Sequence, residues 1–247
     1  MKRSLQVLNC CGSIINKNIL FSALSAVTIL PVTALLISCN TVKSDYKGTP
    51  FSDSVYKSGP QIIPGKLQCE YYDFGGEGVA FHDSDSINSG SGRLNAADGS
   101  YLNEFRISEA VDISYTKFRD PAIDNSPYNF VEPEKDKFYV GWTAPGEWTK
   151  YTVNIKETGT YELGIMYTSN QNGKISVSVN DIDKTGPLLI TATFVASDTI
   201  AWRQWHHWNY IDKIARIDLK KGVQTITINT VDIGQMNYDF INFELIK

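Results

Sequence analysis

Cysteine is scarce in this chain: four residues in 247, at positions 10, 11, 39 and 69. Beyond residue 39 only Cys69 remains, so that part can form no internal disulfide. Histidine is scarcer still, with three residues, two of them adjacent, which argues against a zinc cluster of several Cys and His ligands. Cys69 itself reads as a small buried apolar residue. Charge is thin as well, at 20 % of residues. Residues 1–38 hold no acid and three bases, which leaves 20 bases against 27 acids, a net charge of −7, for the rest. Without a basic stripe, nucleic acid is excluded as a partner. After residue 64 no amphipathic helix of three turns is present, and only Ser108–Lys117 could hold a short one. No G-x-S-x-G, H-E-x-x-H or phosphate-binding glycine loop occurs, and no internal repeat.

What is present begins with the N-terminus. Lys2, Arg3 and Lys17 precede an uncharged apolar run from Ile19 to Ser38, the pattern of a secretory signal. The run is long enough to span a bilayer, so a retained anchor helix is the competing reading. Pro31 weakens that alternative, although membrane helices tolerate proline. Leu36-Ile37-Ser38-Cys39 resembles a bacterial lipobox, which implies cleavage before Cys39 and acylation of its thiol. Two or three acyl chains, at about 0.8 kcal/mol per buried CH₂, would hold the chain on a membrane through lipid alone. The expected organisation is a lipoprotein signal peptide over 1–38, a flexible polar tether over 39–63 and one folded domain over 64–247. Export to the outer membrane and cell surface is the expected location.

Aromatic residues make up 12 % of the chain, which suits a globular β-rich domain. Tyr151, Val153 and Ile155 alternate with polar residues, a Lys-Glu-Thr-Gly turn follows, and Tyr161, Leu163, Ile165 and Tyr167 alternate again. That is a hairpin with one apolar face. Ile175, Val177 and Val179 repeat the period, and residues 216–219 and 224–230 form a second hairpin around Lys-Lys-Gly. The chain ends on Ile241, Phe243 and Leu245. Many short antiparallel strands predict an all-β sandwich or barrel. Residues 88–137 and 181–204 read as long loops decorating one end of it.

Four blocks of the sequence resemble the family 6 carbohydrate-binding modules, which are jelly-roll β-sandwiches. They are Leu67–Asp73 with Gly75–Asp83, then Phe105-Arg106 with Val111–Ile113, then Val140-Gly141-Trp142 through Glu147-Trp148 to Gly159–Tyr161, and last Asn237–Ile241. The resemblance implies a non-catalytic domain that takes a polysaccharide or oligosaccharide, alongside other proteins of polysaccharide utilisation. A flat indole offers the C–H face of a sugar matched apolar area, and a nearby amide fixes the hydroxyls. By the resemblance, Trp142 is one stacking ring and Asn237 the amide. The second ring is Trp205, with Trp202 as the alternative, in Trp202-Arg203-Gln204-Trp205-His206-His207-Trp208. Trp148 and Trp208 are expected in the core. The resemblance also implies a structural calcium held by Gln68, Glu70 and Asp239 between the first and last strands, hard oxygens that suit that ion. The two long loops depart from the family pattern.

Two other readings stay open. A glycan-active hydrolase needs two carboxylates about 5–10 Å apart. Asp83 and Asp85 are candidates on position alone, but read as turn residues. An adhesive or structural surface protein could use the same fold.

Overall fold

The computed structural model describes residues 45–55, 58–90, 104–116, 127–134 and 137–246, together with Val7–Leu8 (β1) and Ile14–Ile15 (β2). Those two dipeptides pair antiparallel. The rest of the expected signal peptide and tether start, including Cys39, lies outside the described residues. No helix among the described residues is long and apolar enough to cross a membrane. The chain divides into two units, 1–43 and 44–247, and the second carries everything below.

Its strands follow one another as β3 (Gln61–Ile63), β4 (Gly65–Gln68), β5 (Phe81–His82), β6 (Ile113–Tyr115), β7 (Phe138–Val140), β8 (Trp148–Ile155) and β9 (Gly159–Ser169). Then come β10 (Gly173–Val179), β11 (Ile182–Asp183), β12 (Leu188–Ile190), β13 (Asn209–Leu219), β14 (Gly222–Asp232) and β15 (Met236–Ile246). They form two sheets. One runs β11-β10-β14-β8-β3, with β12 on β10 and β5 on β8. The other runs β13-β9-β15-β7-β6, with β4 on β15. All pairings are antiparallel except β3 with β8. This is the all-β sandwich that the alternation predicts, in the jelly-roll form that the family resemblance implies.

The core lies between the sheets because the apolar halves of the alternating strands face each other. Ile63, Tyr151, Val153, Ile155, Ile226 and Ile228 from one sheet meet Leu67, Leu163, Ile165, Tyr167, Ile241 and Phe243 from the other. Each such side chain contributes roughly 1.5–3 kcal/mol when fully buried. Tyr151 keeps its hydroxyl satisfied by donating to the Cys69 carbonyl at 2.9 Å. Cys69 is buried, as its apolar character suggests.

A second, smaller cluster joins Tyr139, Met166, Trp208 and Phe240. Neighbouring residues on a strand point to opposite faces. Tyr139 and Phe240 therefore sit on the face of their sheet away from the core positions Val140 and Ile241, and Trp208 covers them. The segment 127–131 closes over Trp208, whose carbonyl accepts from the amides of Phe130 at 2.8 Å and Val131 at 3.0 Å.

Three expectations change. The tether expected over 39–63 is folded where it is described. Phe51 is buried and stacks on Tyr71, Thr49 and Phe74 exchange backbone hydrogen bonds, and β3 pairs with β8. Isolated apolar residues in a polar stretch show no period, yet they cap the sandwich. The short helix possible at 108–117 is instead turn and bend through 111, followed by strand β6 at Ile113–Tyr115. Trp148 is half-buried on β8 rather than in the core.

Candidate functional site

Strand β7 ends where the chain turns sharply through Gly141 and Trp142. Trp142 takes φ +49, the left-handed region that costs a non-glycine residue about 1–2 kcal/mol. The turn throws its indole outward, 42 % exposed, while the ring stays stacked near Tyr139 at 6.5 Å and 22°. Gly141 is needed for close approach. A Cβ there would lie 2.8 Å from the Tyr139 ring and 2.9 Å from Asn237 Oδ1.

The second aromatic arm is the 3-10 turn Ala201–Trp205 (η2) and the residues after it. Trp202 points outward, 47 % exposed, and Trp205 is partly buried. His206 packs edge-on against Trp202 at 5.5 Å and against Tyr139 at 6.1 Å. Burial, then the neighbouring His207, pushes the His206 imidazole down to about 4, so it stays neutral near pH 7. Trp142, Tyr139, His206 and Trp202 thus make one chain of rings, with an exposed indole at each end. Trp208 is buried beneath Tyr139 at 5.2 Å, as expected of a core residue.

Asn237 joins the two arms. It is the second residue of β15, opposite Thr168 of β9. Its Nδ2 donates to the Trp205 carbonyl at 2.8 Å, and its Oδ1 accepts from the Trp142 amide at 3.3 Å. Thr168 Oγ1 donates to the same Trp205 carbonyl at 2.7 Å. The structure therefore brings Trp142, Trp205, Trp202 and Asn237 together. It places Asn237 between the two arms, 3 % exposed and bonded to protein at both ends of its amide. Sequence reasoning missed Tyr139 and His206, which carry no motif signal. The alternation of Tyr139 with Val140 was the one available pointer.

The residues proposed for calcium occupy a different place. Gln68 on β4 pairs with Phe240 on β15, next to Asp239, and Glu70 follows in the 3-10 turn Cys69–Tyr71 (η1). A register shift between Tyr238 and Phe240 puts Asp239 in a bulge. Glu70 and Asp239 are both fully buried. Gln68 Oε1, both Glu70 carboxylate oxygens and both Asp239 carboxylate oxygens are buried without a hydrogen-bond partner. Burial, then the Asp239 charge, pushes the Glu70 carboxyl well up, and burial pushes Asp239 up to about 8. Five orphaned acceptor oxygens with no donor among them suit a hard divalent cation far better than an empty apolar site.

The remaining acids are tied down locally. Asp83 Oδ1 accepts from the Asp85 amide at 3.1 Å and Asp85 Oδ1 from the Ile87 amide at 2.7 Å, which are turn contacts. Glu147 accepts from Ser84 and from the Ala144 amide. His82, Asp83, Glu147 and Trp148 line a small open pocket.

Among solved structures the chain is similar to a family 6 carbohydrate-binding module dissected by crystallography and calorimetry, at 12 % identity and TM-score 0.44, over 76 % of this chain and 98 % of that one. It is similar to a module of Cellvibrio mixtus lichenase 5A in complex with cellotriose, at 24 % identity and TM-score 0.35, over 44 % and 79 %. It also matches a cycloisomaltooligosaccharide glucanotransferase of Paenibacillus sp., at 18 % identity and TM-score 0.37, over 46 % of this chain but only 15 % of that enzyme. No curated protein matches. Residues 121–245 match the profile of the carbohydrate binding module (family 6). That span runs from the segment packed over Trp208 through both aromatic arms to the end of β15. The chain belongs to the family 6 carbohydrate-binding modules.

Proposed function

We propose that the domain binds a glycan in the cleft between the Trp142 and Trp202 arms and performs no chemistry on it. The observation that carries this reading is the ring chain Trp142–Tyr139–His206–Trp202, two exposed indoles on a floor of partly and fully buried rings. Soluble proteins rarely leave large aromatics exposed and braced without a partner, and an indole stacked on a pyranose recovers that apolar area. Cellotriose bound to the Cellvibrio module supports an oligosaccharide as the ligand class.

A structural calcium on Gln68, Glu70 and Asp239 completes the proposal. It would neutralise two buried carboxylates and tie η1 to β15. The lipobox at 36–39 supports export and lipid anchoring through Cys39 at the cell surface, where a glycan binder would serve polysaccharide-utilisation proteins.

Affinity electrophoresis of the 44–247 unit through gels containing lichenan, xylan, laminarin or dextran tests the function. Retardation by one polysaccharide, lost in Trp142→Ala and in Trp202→Ala, is the expected result. Unretarded migration in all four would count against it.

A further inference from the structure

The segment 193–207 is turned inside out. Its buried side chains are polar: Thr193, Asp198, Gln204 and His207 are each at most 5 % exposed. Its large apolar side chains Phe194, at 53 %, Ile200, at 37 %, and Trp202, at 47 %, are exposed alongside Ser197 and Thr199. Burial of polar groups is unfavourable unless their hydrogen bonds are made, so such a loop holds together only through a complete polar network.

That network centres on Asp198. Its Oδ2 accepts from Arg203 Nε at 2.7 Å and lies 2.8 Å from His207 Nε2. Its Oδ1 accepts from Arg203 Nη2 at 2.8 Å and from the Ile200 amide at 3.0 Å. His207 Nδ1 reaches the Thr193 carbonyl at 3.0 Å, across the base of the loop. Gln204 fills the remaining space, bonding Val195 at both ends of its amide and the Asp198 carbonyl at 2.8 Å. The planar guanidinium meets the carboxylate in the paired geometry that fixes direction as well as distance. Arg203 is the residue directly after Trp202, so this grip sets the orientation of η2.

We propose that Asp198, gripped by Arg203 and backed by Gln204 and His207, is a positioning residue that holds the Trp202 indole outward at the cleft. The role rests on the carbohydrate-binding reading above. The loop gains nothing for the sandwich by displaying Ile200 and Trp202 to water. Its polar interior makes sense as a rigid mount for an apolar contact surface. Rigid presentation matters because a ligand that must first order a mobile arm binds more weakly.

Asp198→Asn tests this, because it keeps the shape while turning an amide N–H₂ toward the donors of Arg203 and His207. Two readouts are taken: the indole N–H resonance of Trp202 in a ¹H–¹⁵N spectrum, assigned by its loss in Trp202→Phe, and retardation by the best of the four polysaccharides. The expected result is a displaced or broadened Trp202 resonance with that of Trp148 in place, and binding weakened about tenfold or more. In a Trp202→Ala background the same change should weaken binding little further, since the two act through one contact. An unmoved Trp202 resonance, or losses that multiply in the double variant, would overturn the proposal. If Asp198→Asn does not fold, Arg203→Lys is read by the same criteria; it keeps the charge and loses the paired grip. Should the wild-type domain bind none of the polysaccharides, the glycan reading fails, and the Trp202 resonance alone decides whether the clamp holds the indole.

Discussion

The carboxamide of Asn237 donates to the Trp205 carbonyl at 2.8 Å while accepting from the Trp142 amide, so one side chain spans two loops 95 and 32 residues away. Replacement by alanine leaves the Trp142 N–H without that acceptor and removes one of the two donors to the Trp205 carbonyl. A buried group left unpaired costs about 1–3 kcal/mol. Asn237→Ala should lower stability by that amount in urea denaturation and weaken glycan binding too. A variant that loses binding with unchanged stability would show instead that Asn237 acts on the ligand alone.

Trp142 gives a sharper contrast because its backbone is strained. Trp142→Gly removes the indole and also the left-handed penalty, whereas Trp142→Ala removes the indole and keeps it. Glycine should therefore be the more stable of the two by about 1 kcal/mol. Both should lose binding alike. Equal melting temperatures for the pair would mean that φ +49 carries no strain.

Much of this arrangement was legible beforehand. The alternations at 151–155, 161–167 and 224–230 mark β8, β9 and β14, because each strand buries one face and exposes the other. Trp142 and Asn237 came from the family resemblance, and the Asn237 amide bonds the Trp142 backbone. The loops were not legible for a physical reason. Between residues 193 and 207 Thr193, Asp198, Gln204 and His207 are inside while Phe194, Ile200 and Trp202 are outside, which inverts the rule that reads burial from hydropathy. Phe51 escaped notice because a lone aromatic in a polar stretch has no periodicity. Asn237 was expected to touch sugar, and only coordinates show that its amide is already engaged.

Calcium should act on stability. If it binds the folded state at Gln68, Glu70 and Asp239, a concentration 1,000 times the dissociation constant adds about 4 kcal/mol. For a domain of this size that raises the melting temperature by roughly 8–16 °C. Glu70→Gln should abolish the response to calcium and chelator. A melting curve indifferent to chelation in the wild-type domain would leave the five orphaned oxygens to hydrogen bonding.

His206 makes stability depend on acidity. Its folded pKa is depressed to about 4 from an ordinary value near 6.5, chiefly by burial. Between those values the unfolded chain binds the proton and the folded one does not. Stability contributed by the neutral ring is therefore present above pH 6.5 and is lost as pH falls toward 4. Asp198, held low by Arg203, loses its stabilisation mainly below this window, as pH falls past the ordinary aspartate value, and does so in both proteins compared. The wild-type domain should lose on the order of 2 kcal/mol more than His206→Gln between pH 7 and 4.5. Parallel stability curves for the two proteins would show that the ring is not shielded from water in the native state.

Trp208 and Trp148 separate packing from display. Trp208 is 1 % exposed and closes the cluster of Tyr139, Met166 and Phe240. Truncation to alanine should cost about 3–5 kcal/mol, the range for emptying a large aromatic site. It also removes the ring that supports Tyr139 at 5.2 Å, and Tyr139 in turn backs Trp142. Binding by the remaining folded fraction should therefore weaken as well, although Trp208 never meets the ligand. Trp148 lies half-buried on β8, with Lys150 Nζ 5.4 Å from its ring, and lines the pocket of His82 and Asp83. Trp148→Ala should cost less than half as much stability and leave the Trp142–Trp202 cleft's affinity unchanged per folded molecule. Calorimetric melting and gel retardation on both variants decide the matter. If Trp208→Ala retained full affinity in its folded fraction, Tyr139 would not transmit support to Trp142, and the chain of rings would be contact without consequence.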